Sequence, residues 1–149
     1  MGTKQSERRI RLTRKSVEDM FDECNKLYFN NMVERPIRFE TWTTHKKTVG
    51  MVRPVWSAKK KAVHASLHIS RRYKWNEGNL RHVVVHEMIH LAIGDYKRPL
   101  NFIQRLPVIG RFFIKEHDGQ FVALMNELND KYNLGITVRA KHMRKYYIR

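Results

Sequence analysis

The stretch LRHVVVHEMIHLAIG, residues 80–94, decides how this sequence is interpreted. Its apolar residues recur on nearly every side of a helix, which predicts a helix buried in the core rather than one at the surface. Asn76 or Asn79 can cap its beginning, and Gly94 can end it. The run Val83-Val84-Val85 alone favours a strand, but the length of the segment and the spacing of its histidines favour a helix.

Within this helix His86, Glu87 and His90 form the pattern HExxH. Helical residues four apart have Cβ atoms about 5–6 Å from each other, so both imidazoles can reach one Zn²⁺. Glu87 emerges beside the first histidine, where it can take a proton from a zinc-bound water that attacks a peptide carbonyl. A chance pattern of solvated charges is the alternative, but uncompensated polar groups are costly in so apolar a helix. The pattern therefore predicts one Zn²⁺ per chain, with Glu87 as the catalytic base.

A catalytic zinc site usually has three protein ligands. The pattern HExxHxxGxxH is excluded because Ile93 occupies its glycine position and Tyr96 its third histidine. The remaining candidates are Glu116, His117 and Asp118. His117 falls on the apolar stripe of the last predicted helix and is preferred, Glu116 is second, and Asp118 is a candidate for orienting a ligand imidazole.

Elsewhere the spacing of apolar residues predicts two more helices and three short strands. One helix has Ser16 as its cap and ends near Asn30, and the other follows His117 and ends at Gly135. The strands are predicted at Ile37–Thr43, Thr48–Val55 and Ala62–Ser70. Pro54 indicates an edge position for the second strand. Together these elements predict an α+β fold with a small antiparallel or mixed sheet.

The third predicted strand alternates most clearly. Leu67 and Ile69 point to one side, towards the core, and His64 and His68 to the other, where they are interpreted as facing solvent. Residues 95–116 are apolar but interrupted by prolines, which predicts a packed loop or short helices.

The chain has 149 residues and a formal net charge of +16. This length predicts one catalytic domain at 16–135, with a flexible basic arm at 1–15 and a basic tail at 136–149. With Cys24 as its one cysteine the sequence can form no internal disulfide and no Cys-rich zinc ribbon. The sequence shows no signal peptide and no membrane-spanning stretch, so we expect an intracellular protein with no membrane partner.

So positive a surface attracts polyanions, and DNA is the expected partner, with single-stranded DNA as the narrower alternative. Basic side chains can contact phosphates and nearby aromatic rings can stack on unpaired bases. The candidate contacts are Lys46, Lys47, Arg53, Trp56, Lys59, Lys60, Lys61, Arg71, Arg72 and Trp75.

The order of five segments resembles the SprT-like (Spartan-related) zinc metallopeptidase family. These segments are LYFNNMVERPIRF (27–39), TVGMVRP (48–54), HASLHISRRY (64–73), VVVHEMIHLAI (83–93) and HDGQFVALMNEL (117–128). The likeness runs from about Ser16 to Tyr132. The sequence departs from the family pattern at Asp118, because the family usually has a glycine directly after its third histidine.

The resemblance implies a zincin-like minimal metallopeptidase domain with zinc on His86, His90 and His117 and with Glu87 as general base. It also implies an endopeptidase that acts on DNA-associated proteins, such as those crosslinked to DNA. Two other interpretations remain open. One is a nucleic-acid-binding or inhibitory module with a structural or inactive zinc site, and the other is a zinc peptidase unrelated to DNA.

Overall fold

The sheet at the centre of the fold has three strands: β1 (Arg38–Trp42), β2 (Gly50–Ser57) and β3 (Ala62–Ser70). The computed structural model of the protein describes residues 8–43, 48–97 and 119–148. The strand order is β1-β3-β2, with β1 parallel and β2 antiparallel to β3. Within the described residues β2 is therefore an edge strand, as its proline predicted, and the sheet is mixed.

The central strand β3 buries both of its faces. Leu67 and Ile69 lie in the core, as predicted, but His64 and Ser66 on the other face are also buried. The prediction of a solvent-facing His64 is thus wrong, and its Nδ1 lies 3.1 Å from a carboxylate oxygen of Glu34. His68 is half-buried, with its Nε2 2.7 Å from the hydroxyl of Ser66. The reason is that side chains from other parts of the chain cover this face, with Glu34 against His64 and Trp42 against His68.

The first helix, α1 (Arg14–Tyr28), has its cap three residues before the predicted one. Thr13 is the N-cap, and its hydroxyl accepts a hydrogen bond from the backbone N–H of Ser16 at 3.1 Å. Ser16 in turn accepts from the backbone N–H of Thr13 at 2.8 Å. Ser16 is therefore the second half of a capping box, and the prediction that it is the cap itself is wrong. The buried side of α1 includes Phe21 and Cys24.

The HExxH segment forms the long helix α2 (Glu77–Ile93). Asn76 is its N-cap and exchanges hydrogen bonds with Asn79, so both predicted capping residues take part. Gly94 ends the helix at φ +69°, a left-handed conformation that suits glycine. Buried side chains occur on almost every side of α2, because it packs against α1, β2 and the last helix.

The last helix, α3 (Gly119–Tyr132), is followed by a segment that returns to the body of the domain. Ile136 and Met143 of this segment are buried, and the backbone N–H of Ile148 donates to the carbonyl oxygen of Arg72 at 2.7 Å. The boundary predicted at 135 is corrected accordingly: residues 136–148 are part of the domain. A short 3-10 helix at Lys141–Tyr146 lies within them.

The N-terminal boundary also moves outward. The backbone N–H of Ile10 donates to the carbonyl oxygen of Trp75 at 2.8 Å, which ties residues 9 and 10 to the chain just before α2. Of the apolar stretch 95–116, Asp95–Lys97 form a 3-10 turn and the rest lies outside the described residues. No helix in the described part of the chain is long and apolar enough to cross a membrane.

Candidate metal centre

His86 and His90 of the HExxH motif lie one turn apart on α2, with their ring centroids 5.4 Å from each other. Both rings pack against Phe121 of α3, at centroid distances of 4.9 Å for His86 and 4.6 Å for His90. Phe121 is fully buried. The ring therefore fixes α3 against the side of α2 that carries both histidines.

Each of these imidazoles is held through its Nδ1 atom. Nδ1 of His86 lies 2.9 Å from the carbonyl oxygen of Thr137, and Nδ1 of His90 lies 2.6 Å from the carboxylate of Asp95. A backbone carbonyl can only accept a hydrogen bond, so Nδ1 of His86 carries the proton, and the carboxylate favours the same tautomer of His90. In that tautomer the lone pair of a neutral ring is on Nε2, which is the arrangement that a metal-ligating histidine needs.

The two described imidazoles, of His86 and His90, fit a zinc ion. Two oriented imidazoles are typical zinc ligands, and acceptors behind them are the usual way in which proteins fix such rings. The described residues contain no group of three or more His, Cys, Asp or Glu side chains that could hold a metal. All three candidates for the third ligand, Glu116, His117 and Asp118, lie outside the described residues.

Glu87 is almost fully buried, with 5% of its surface exposed, and it lines a cleft together with His86. This cleft, called the Glu87 cleft below, has a volume of about 160 Å³. Within the described residues, three parts of the chain line it: the start of β2, the side of α2 and the segment that follows α3. Its lining residues are Val49, Gly50, His82, Val83, His86, Glu87, Val138 and Ala140.

His82 lies one turn before His86 and is paired with His142 from the C-terminal segment, with ring centroids 4.2 Å apart. Its Nε2 is 3.4 Å from the hydroxyl of Thr137, and that hydroxyl donates to the carbonyl oxygen of Arg139. Burial, reinforced by the neighbouring His142, lowers the pKa of His82 to about 4. Burial and the positive charge of Lys145 lower the pKa of His142 as well. Both rings are therefore neutral at neutral pH.

Sequence reasoning missed two groups that orient the histidines. Asp95 follows Gly94 directly, so the left-handed end of α2 turns its carboxylate back towards His90, a role that the sequence analysis considered for Asp118. The sequence did contain a signal for Asp95, because an acidic residue directly follows the glycine that ends the HExxH helix. For Thr137 no sequence signal exists, because its contribution is a backbone carbonyl that any residue would supply.

Among the candidate DNA contacts, five lie on or beside the hairpin that joins β2 to β3. Trp56 is 63% exposed, and its basic neighbours in the sequence are exposed as well. We call this set the hairpin patch: Arg53, Trp56, Lys59, Lys60 and Lys61. Arg71 is also exposed, away from the hairpin, at the end of β3.

The remaining candidate DNA contacts are buried, half-buried or outside the described residues. Trp75 is 2% exposed and its indole N–H donates to the carbonyl oxygen of Ser70 at 2.7 Å, so this ring is a core residue and cannot stack on a base. The Arg72 guanidinium is half-buried and donates to the carbonyl oxygen of Thr43. Lys46 and Lys47 lie outside the described residues.

A comparison with protein families found a match over most of the chain. The sequence model of the SprT-like family matches residues 17–142, from the first turns of α1 to the 3-10 helix near the C-terminus. The match includes the HExxH helix, the acceptors Asp95 and Thr137, and position 117. A search of curated proteins found no match. The chain therefore belongs to the SprT-like family, a family of metallopeptidase-like domains.

Proposed function

We propose that the protein is a zinc-dependent endopeptidase in which His86 and His90 hold the metal and Glu87 is the general base. The observation that carries this proposal is the pair of Nδ1 contacts to Thr137 and Asp95. Two histidines at HExxH spacing that served only as surface charge would not each need a dedicated acceptor behind the ring. A structural zinc site would have no use for the buried carboxylate of Glu87 between them.

His117 is the proposed third ligand. It precedes Phe121 by four residues, and Phe121 contacts both of the other imidazoles. Four residues span at most about 14 Å, so the chain before α3 starts within reach of the site. Glu116 is one residue further away and satisfies the same limit, so it is the competing ligand that an experiment must separate.

A bound zinc ion would supply a Lewis acid for the scissile carbonyl and a water molecule of lowered pKa. The carboxylate of Glu87 lies in the same cleft and accepts a proton as water adds to the carbonyl carbon. When the C–N bond breaks, Glu87 returns that proton to the leaving amine nitrogen. Burial of Glu87 suits this work, since a carboxylate shielded from bulk water exchanges its proton with the substrate rather than with solvent.

The edge of β2 supports an extended peptide as the substrate. On its outer side β2 has no strand partner within the described residues, and its first residue, Gly50, lines the Glu87 cleft. An extended chain that adds to such an edge by backbone hydrogen bonds would pass directly over the cleft. Binding through the backbone favours an unfolded or flexible segment of a protein over a folded surface.

We further propose that the substrates are associated with DNA. No acidic residue occurs between Glu40 and Glu77, a span that includes the whole hairpin patch. An exposed tryptophan in so basic a stretch of sequence is suited to stacking on unpaired bases while the cations hold the phosphates. A peptidase whose charge serves only solubility would have no need of an exposed indole at that place.

The proposed reaction is tested by the substitution Glu87→Gln. The amide keeps the size of the side chain but cannot accept the proton, so we expect zinc content to stay at the wild-type level. Cleavage of an unfolded protein substrate should fall by about 10²–10⁴-fold, the contribution typical of general-base catalysis. Proteolysis at the wild-type rate by this variant would reject the mechanism.

A further inference from the structure

We infer that the Glu87 cleft is a specificity pocket that accepts one aliphatic side chain of the substrate, on the residue next to the scissile bond. This inference rests on the proposed peptidase function and adds to it the class of residue at which the chain is cut. It is drawn from the lining, the size and the position of the cleft.

The described lining combines aliphatic side chains with three polar ones. Val49, Val83, Val138 and Ala140 supply hydrocarbon from three different parts of the chain. The polar lining residues are His86, Glu87 and His82, and the last of these is neutral at neutral pH. An acidic substrate side chain would be repelled by the carboxylate of Glu87 and would lose hydration there. A basic side chain would pair with the carboxylate that the proposed reaction needs free to accept a proton. An aliphatic side chain gains free energy from burial there.

The volume of the cleft matches one side chain. Sites that enclose a whole small molecule have volumes of about 300–1,000 Å³. The Glu87 cleft, at about 160 Å³, is far smaller. An apolar protein cavity of about 150 Å³ is large enough to hold a benzene molecule, which is close in size to the side chain of leucine. One aliphatic residue therefore fits, and a tryptophan does not.

The position of the cleft places the accepted residue beside the bond that is cut. Glu87 and His86 belong to the wall of the pocket itself, so a side chain inside it lies within one residue of the reacting carbonyl. An extended chain on the edge of β2 directs every second side chain to the same face, and one of them can enter.

The width of the pocket is fixed by the close approach of β2 to α2. A Cβ atom on Gly50 would lie 3.0 Å from Cγ1 of Val83 and 3.2 Å from Cδ1 of Ile69. Since Val83 is buried, this wall cannot retreat without disturbing the core. The opposite wall, Val138 and Ala140, belongs to the C-terminal segment and is half-buried. Substitutions on that wall can change the pocket while leaving α2 in place.

The test is cleavage-site profiling of the zinc-loaded, full-length protein on a library of random-sequence peptides, with mass spectrometry of the products. Wild type should prefer Leu, Ile, Val or Met on one side of the cut. Ala140→Leu should shift that preference to Gly, Ala or Ser by about tenfold, the scale of discrimination that one or two methylenes provide in an apolar pocket. Val138→Ala should instead widen the pocket and admit Trp. The matched control is Ala123→Leu on the exposed side of α3, which should keep the wild-type profile.

A binding measurement separates failure of the pocket from failure of the proposed reaction. Glu87→Gln is titrated with three fluorescent peptides that differ only by Leu, Gly or Asp at the preferred position. Tighter binding of the Leu peptide, lost in the double variant Glu87→Gln/Ala140→Leu, supports the pocket even if cleavage is slow. Cleavage with no preference, or a preference that Ala140→Leu and Val138→Ala leave unchanged, overturns the pocket but not the peptidase. A zinc-loaded wild type that cuts nothing overturns the peptidase.

Discussion

The carboxylate of Asp95 lies 2.6 Å from Nδ1 of His90, and both side chains are only 14% exposed. Shielded from water in this way, the carboxylate holds the imidazole in one orientation and raises its basicity towards a metal. Asp95 is thus a positioning residue for the proposed zinc site, acting through His90 without being a ligand itself.

Asp95→Ala should therefore weaken zinc binding by about 10–100-fold, the usual cost of removing such a partner. Asp95→Asn should cost less, because the amide oxygen can still accept from Nδ1. Zinc affinity is measured by competition with a chromophoric chelator. Asp130→Ala, which removes an exposed carboxylate of α3, is the matched control. Equal affinity in Asp95→Ala and wild type would show that Asp95 does not position the histidine.

The C-terminal segment should contribute to stability as a part of the core. Met143 is fully buried although it lies within the stretch predicted to be a basic tail. Met143→Ala should lower the free energy of unfolding by about 2–5 kcal/mol, because it leaves a cavity. Urea denaturation followed by circular dichroism measures this change. Met32→Ala, at a side chain that is 84% exposed, should shift stability by less than about 0.5 kcal/mol. Equal stability of the two variants would mean that the segment is not packed.

The pair His82–His142 predicts a pH dependence of stability. The pKa of His82 is about 4 in the folded protein, against an ordinary value of 6.5. Between pH 4 and pH 6.5 the unfolded state binds more protons than the folded state. The contribution of neutral His82 to the free energy of unfolding is therefore complete above about pH 6.5 and is lost as the pH falls towards 4. The free energy of unfolding should change by at most about 1.4 kcal/mol per pH unit, because one proton is involved.

His82→Gln should flatten this slope. Denaturation is measured from pH 4 to 7.5 on zinc-free protein, so that metal release does not contribute, and the variant is compared with wild type at each pH. Parallel curves for the two proteins would show that His82 is not held in its neutral form by the fold.

The hairpin patch should bind DNA in a strongly salt-dependent manner. Replacing Lys59, Lys60 and Lys61 together by Ala should reduce the slope of log affinity against log salt by about two to three, since each lost phosphate contact removes about 0.7–0.9. Fluorescence anisotropy with labelled oligonucleotides measures the slope. Lys26→Ala, an exposed lysine of α1, is a control that should change it little. Binding that does not depend on salt would remove DNA from the account.

Trp56 should distinguish single-stranded from double-stranded DNA. A ring that stacks on an unpaired base contributes about 1–3 kcal/mol, so Trp56→Ala should weaken binding of a single-stranded oligonucleotide by about 5–150-fold. Binding of a blunt duplex should change much less. An equal loss for both, or no loss, would assign Trp56 a role other than stacking.

The sequence correctly predicted those features of the fold that depend on the preferences of a few neighbouring residues. The caps Asn76 and Gly94, the buried character of α2 and the edge position of Pro54 follow from side-chain preferences over a few residues. HExxH pointed to a candidate site because its spacing matches one helical turn, and the structure places both histidines on the same side of α2.

The errors came from contacts between residues distant in sequence. Trp75 is 2% exposed, and its carbonyl oxygen accepts from the backbone N–H of Ile10, which lies far away in the sequence. His64 is buried beside Glu34, which is distant in the sequence. The segment after Gly135 is rich in basic residues, which suggested a solvated tail, yet Ile136 and Met143 anchor it beside α2. No local pattern shows that Thr137 supplies its carbonyl to His86.

The central claim, a zinc site completed by His117, is tested most directly by the zinc content of purified protein. Wild type, His117→Ala and Glu116→Ala are loaded with zinc, dialysed and measured by elemental analysis, with protein concentration determined independently. The account predicts one zinc per chain in wild type and in Glu116→Ala, and a large loss in His117→Ala. A loss in Glu116→Ala alone would make the site His₂Glu, and no zinc in loaded wild type would contradict the metallopeptidase assignment.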